Sequence, residues 1–122
     1  MSETAAPQDM LEFASVRTWI ESTKPTGLRP VDDRAKRLAL IASYCAAVEA
    51  DPDTIVERSR GDAATKNRYL KLLVDWAAGQ PGSDRAKHDA ENLIRGFFMR
   101  NGFRVVARPY RDVYRRAEGT GA

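Results

Sequence analysis

Chemistry in this chain is concentrated on one stretch, residues 83–103, which reads SDRAKHDAENLIRGFFMRNGF. Arg85, His88, Asn92, Arg95 and Met99 recur there at intervals of three and four, the spacing that stacks side chains along one face of a helix. The first four are hydrogen-bonding groups. An arginine can hold a phosphate or set two donors against a guanine edge, and an asparagine can pair with adenine. Such a stripe therefore offers recognition of a polyanion, although any solvated helix face can carry the same residue types.

Residues suited to making or breaking bonds are scarce. The chain has one histidine, His88, and one cysteine, Cys45, and the periodicity puts them on different helices with Cys45 turned inward. Neither a Cys–His dyad nor a metal site is expected, and no residue pattern requires a cofactor. One cysteine also excludes an intrachain disulfide, which agrees with a reducing compartment.

The stripe needs a helix whose back is buried. Residues 83–103 supply it: Ser83 suits the N-cap, and Ala86, Ala90, Leu93, Ile94, Phe97 and Phe98 gather on the opposite side at about 100° per residue. Asn101-Gly102 marks the stop, because both residues tolerate the left-handed conformation. Upstream, residues 8–23 predict a first helix with Phe13, Val16, Trp19 and Ile20 inward. Residues 24–30 hold two prolines and a glycine and predict a loop. Asp32 or Asp33 is expected to cap a second helix running to about residue 50. Leu38, Ile41, Tyr44, Cys45 and Val48 face inward there, and Lys36, Ala39, Ser43 and Ala46 outward. Asp51-Pro52-Asp53 opens a short element carrying Ile55 and Val56 and ending at Gly61. Asp62 begins the cap of a helix over residues 63–78, with Tyr69, Leu70, Leu73, Trp76 and Ala77 toward the core and Asn67, Arg68, Lys71 and Asp75 outside. Strand signals are nearly absent, so the expected fold is all-α, a compact bundle of four principal helices plus one short helix. Residues 1–7 are expected to be disordered, 8–106 to form the domain, and 107–122 to be a basic tail or interdomain linker.

A chain of 122 residues can bury a core without metal or disulfide staples. Its 43% hydrophobic and 30% charged content is that of a soluble globular protein. No apolar run approaches the roughly 18 to 20 residues of a membrane span, and MSETAAPQDM lacks the pattern of a signal peptide. A cytoplasmic location without membrane contact is expected. The net charge of +3 is spread unevenly: residues 1–33 hold six acids and three bases, and the chain from Arg34 onward holds seventeen bases and eleven acids. The basic part is the helical part, which fits a nucleic-acid partner.

The order of these pieces resembles the N-terminal core-binding domain of tyrosine recombinases, the phage integrase family, whose fold is often called SAM-like. The likeness is carried by the first helix with Phe13 and Trp19, and by the second, which ends in Tyr44-Cys45 before Asp51-Pro52-Asp53-Thr54-Ile55. It is carried too by the closing helix, Leu93-Ile94-Arg95-Gly96-Phe97-Phe98 and then Asn101-Gly102. About residues 8–106 are covered. Where the family often has serine-x-x-threonine entering its second and last helices, this chain reads Asp32-Asp33-Arg34-Ala35 and Ser83-Asp84-Arg85-Ala86. The resemblance implies binding of double-stranded DNA by one half of a clamp, with the second and last long helices toward the major groove. It implies also a separate catalytic domain, C-terminal to this one, that cuts and rejoins strands. Carried over residue by residue, the groove-facing candidates are Lys36 and Ser43 on the second helix and Arg85, His88, Asn92 and Arg95 on the last. Self-association on DNA is a further expectation. The family's catalytic half needs a tyrosine nucleophile, two arginines, a lysine and a His-x-x-Arg group. Three residues after His88 stands Glu91, and Tyr110 and Tyr114 lie in a basic tail. The chain is therefore expected not to be an enzyme by itself.

Arg68 and Lys71 are additional phosphate candidates, while Lys66 falls nearer the apolar side. Arg104, Arg108, Arg111, Arg115 and Arg116 form the densest basic run, able to bind backbone without reading sequence or simply to aid solubility. On their outward positions, Arg85 and Arg95 are expected to be removable with little loss of stability. The alternative class is a stand-alone helical protein-protein interaction module. Its mark is an exposed apolar patch of roughly several hundred Å², for which Met10, Leu11 and Met99 are the candidates.

Overall fold

In the computed structural model, which describes residues 7–22 and 30–105, the chain forms a 3-10 helix at Pro7–Glu12 followed by five α-helices. These are α1 (Ala14–Ser22), α2 (Pro30–Val48), α3 (Pro52–Gly61), α4 (Ala63–Ala78) and α5 (Asp84–Arg100), and no strand occurs among the described residues. Of the disorder expected for residues 1–7, the loop for 24–30 and the basic tail for 107–122, all but Pro7, which opens the 3-10 helix, and Pro30, which opens α2, lie outside the described residues.

Local caps set the last three helices. Asp51 accepts from Thr54 N at 2.7 Å with Pro52 at the first helical position, Asp62 accepts from Ala64 N at 3.1 Å, and Ser83 Oγ accepts from Ala86 N at 3.1 Å. Each satisfies an N–H that the helix itself leaves without a partner. Two expected starts are corrected. Helix α2 begins at Pro30, so Asp32 and Asp33 lie inside it rather than before it, a proline being suited to the first helical position.

The expected helix over residues 8–23 is two elements, broken at Phe13. A distant side chain stabilises the break: Asp53 Oδ1 accepts from Ser15 N at 2.9 Å and from Ser15 Oγ at 2.6 Å, so α3 supplies the cap of α1. On the other side of the break, Arg17 Nη1 donates to the Leu11 and Glu12 carbonyls at 2.8 and 2.9 Å.

Helix α5 ends as its sequence suggests, by a different division of labour. Gly102 takes the positive φ of 95°, whereas Asn101 stays at φ −94° and uses its buried side chain, donating to Phe97 O at 2.8 Å and Ser15 O at 3.1 Å. At the end of α2 it is Glu49 that takes a left-handed φ of 56°.

The core lies where α5 meets α1, α2 and α4. Trp19, Tyr44, Phe97 and Phe98 are fully buried, and their rings meet edge to face: Trp19 with Phe97 at 5.8 Å, Tyr44 with Phe98 at 6.4 Å and Phe97 with Phe98 at 5.6 Å. Burying a phenylalanine side chain contributes roughly 1.5 to 3 kcal/mol, and each such ring pair adds about 0.5 to 1.5 kcal/mol. The Tyr44 hydroxyl donates to Tyr69 O at 2.8 Å, so the buried phenol is satisfied. Gly96 faces α1, where a Cβ would stand 3.5 Å from Trp19 Nε1, an ordinary van der Waals contact.

Candidate nucleic-acid interface

Of the expected apolar back of α5, Ala90, Ile94, Phe97 and Phe98 are buried and Leu93 is half-buried, whereas Ala86 in the first turn is exposed. The outer stripe is not where the periodicity puts it. Arg85 is exposed, with Nε 3.4 Å from Asp89 Oδ1 on the solvent side. His88, expected outward, is buried at 6% exposure, and Asn92 is half-buried with Nδ2 3.0 Å from His88 Nε2. Arg95, also expected outward, has a side chain only 13% exposed, and its Nε donates to Oε2 of the buried Glu91 at 2.9 Å. The physical reason for this correction is twofold. Taken at about 100° per residue, the buried set from Phe97 round to His88 covers about half the circumference of α5, wider than its apolar stripe. The polar residues in that extra arc are satisfied by partners one turn away, which lets them leave water at small cost.

Ser43 is corrected as well. It is half-buried, and its Oγ accepts from Trp76 Nε1 at 3.0 Å, tying α2 to α4 rather than facing outward. Lys36 on α2, Arg68 and Lys71 on α4, and Arg104 beyond α5 are exposed as expected and make no hydrogen bond or ion pair among the described residues. Arg68 and Lys71 are three apart on one face of α4, with Asn67 beside them and Asp75 one turn beyond, all exposed. Arg108 lies outside the described residues.

Of the exposed cations that the sequence reading passed over, two stand together at the end of α5. Arg60 lies in the last turn of α3 beside the end of α5, where its Nη2 donates to Asn101 O at 3.0 Å, and Arg100 is the final residue of α5. Nothing local to Arg60 announces this neighbour, which lies 41 residues along the chain.

The remaining ionisable groups serve the fold. Burial pushes the Cys45 thiol and the Tyr44 phenol well above their usual ranges, so both stay protonated. Burial alone would raise the Asp53 carboxyl, but hydrogen bonds from the Ser15 hydroxyl and from the N–H groups of Ser15 and Ala14, with Arg17 nearby, hold it below the usual carboxylate range. Among the described residues, no group of three or more His, Cys, Asp or Glu side chains is placed to hold a metal ion. No helix there is long and apolar enough to cross a membrane. The residues expected to make an apolar patch are divided: Met10 is buried, Leu11 is half-buried and Met99 is exposed. Comparison with protein-family models, curated proteins and solved structures found no match to this chain.

Proposed function

We propose that this chain is a DNA-binding domain of the SAM-like, core-binding kind seen in tyrosine recombinases, and that it grips duplex DNA chiefly through phosphates. The supporting observation is the set of exposed bases that make no hydrogen bond or ion pair among the described residues: Lys36, Arg68, Lys71 and Arg104. Arg85 joins them at the start of α5, where its contact with Asp89 is solvated and exchangeable. The groups best suited to reading base edges, Asn92 and Arg95, are engaged within α5, and His88 is buried. The interface in this reading holds the backbone and discriminates weakly among sequences. The chain carries no catalytic set of its own, and cutting and rejoining strands belong to another domain.

A salt titration of binding to random-sequence duplex DNA tests this. Five phosphate contacts give log K falling against log salt with a slope of about −4 to −5, little altered by the sequence of the duplex. Binding that is absent, or indifferent to salt between about 50 and 200 mM, would sink the reading.

A further inference from the structure

The end of α5 away from the 79–82 turn gathers cations from two separate parts of the chain. Arg60 of α3 is fixed there by its bond to Asn101 O, one residue past Arg100. Helix α3 runs into α4 through the single residue Asp62, so the start of α4 stands at this end too. Arg104 follows, and it is held more firmly than a tail residue would be. Gly102 N donates to Met99 O at 3.1 Å, Phe103 N donates to Phe98 O at 3.1 Å, and the rings of Phe98 and Phe103 meet at 5.9 Å. Val105 is buried. Val105 N also donates to Phe103 O at 3.0 Å, a γ-turn with Arg104 at its centre, and Arg104 is exposed.

The acids nearby make no ion pair with these arginines among the described residues. Asp53 is held by Ser15, and Asp62 is occupied by Ala64 N and the Thr65 hydroxyl. Glu57, one turn before Arg60, is exposed and pairs with no described residue. Arg100 and Arg104 likewise make no hydrogen bond or ion pair among the described residues. Of these three cations, Arg60 and Arg104 are thus placed by hydrogen bonds to or within the backbone, and all three are exposed.

We infer that Arg60, Arg100 and Arg104 form a second DNA-phosphate clamp, separate from the contacts of Lys36, Arg68, Lys71 and Arg85. This rests on the DNA-binding reading above and extends it to two residues, Arg60 and Arg100. Arg85 and Arg100 are fifteen residues apart on α5, about 22 Å along its axis at 1.5 Å per residue, so the two groups meet different phosphates. Arginine suits the role because its fork of donors can satisfy Asn101 O with one amino group and a phosphate oxygen with others.

The experiment is the same titration with random-sequence duplex DNA, run on the full chain and its variants beside a thermal melt. Wild type is expected at a slope near −6, and Arg60→Gln with Arg100→Gln at about −4 to −5, a loss of roughly 0.9 per contact. Arg60→Lys keeps the charge and holds the wild-type slope, which separates phosphate binding from the bond to Asn101. Arg100→Gln with Arg104→Gln touches no internal hydrogen bond and should lose about 2 from the slope while melting as wild type does. A salt-dependent wild type whose slope survives in that second pair overturns the clamp and leaves the DNA reading standing. A wild type that does not bind DNA overturns both.

Discussion

Helices α4 and α5 each set polar residues at spacings of three and four opposite an apolar stripe, yet Asn67, Arg68 and Lys71 on α4 are exposed while His88, Asn92 and Arg95 on α5 are buried or half-buried. Both helices pack chiefly on three neighbours, α4 on α2, α3 and α5, and α5 on α1, α2 and α4, so the number of main neighbours does not separate them. The width of the buried arc does. On α4 the buried residues Tyr69, Leu73, Trp76 and Ala77 span about 100° of the circumference, against about half of it on α5. Where the arc is wide, polar residues enter it as pairs bonded one turn apart, Glu91 with Arg95 and His88 with Asn92. Amphipathic spacing thus identifies the side a helix must bury, and it leaves open how far burial extends beyond that side.

The strongest way to break this contrast is to remove one member of the α5 ion pair. Glu91→Ala leaves the Arg95 guanidinium, only 13% exposed, without its carboxylate. Taking one partner from a largely buried pair is expected to cost about 3 kcal/mol, read as a lowered midpoint in urea denaturation. The expectation that Arg95 can be removed at little cost is reversed for the same reason. An unchanged midpoint would mean that the pair is solvated and that the two helices do not differ.

A smaller effect is expected at the α1–α3 corner, where a half-exposed carboxylate caps another helix. Asp53→Ala removes the acceptor for Ser15 N and Oγ and should cost about 1 kcal/mol, the usual worth of an N-cap. The dependence on acid sharpens the point. The folded-state pKa of Asp53 is depressed, so its stabilisation is present above the unfolded value of about 3.9 and is lost as pH falls through the folded value. Wild type and Asp53→Ala should therefore converge in stability below about pH 4. A difference that persists unchanged at lower pH would assign the effect to packing rather than to the charged cap.

What was legible in the sequence was local. Asp51, Asp62 and Ser83 cap helices that begin within three residues of them, and Trp19, Tyr44, Phe97 and Phe98 are too large and too regularly spaced to lie anywhere but the core. What escaped depends on partners far along the chain. The break at Phe13 is stabilised by an aspartate 38 residues from Ser15, the Ser43 hydroxyl is claimed by an indole 33 residues away, and Arg60 finds its carbonyl 41 residues on. The burial of His88 and Glu91 is an intermediate case. Their partners are local, at four residues, but the same spacing on an exposed helix produces the same sequence pattern, and only tertiary packing decides between them.

The smallest stability effect belongs to the α4 face, and it is the one that separates binding from folding. Arg68→Ala with Lys71→Ala removes two exposed side chains that bond to no described residue, so the urea midpoint should move by less than about 0.5 kcal/mol. If those cations meet phosphates, the slope of log K against log salt should fall by about 2 in the same protein. The two readouts move independently because the groups are ordered by α4 but contribute little to it, whereas at Glu91 folding and any binding would fail together. A double variant that folds as wild type and keeps the full salt slope removes α4 from the interface and leaves its charged face a solvated surface.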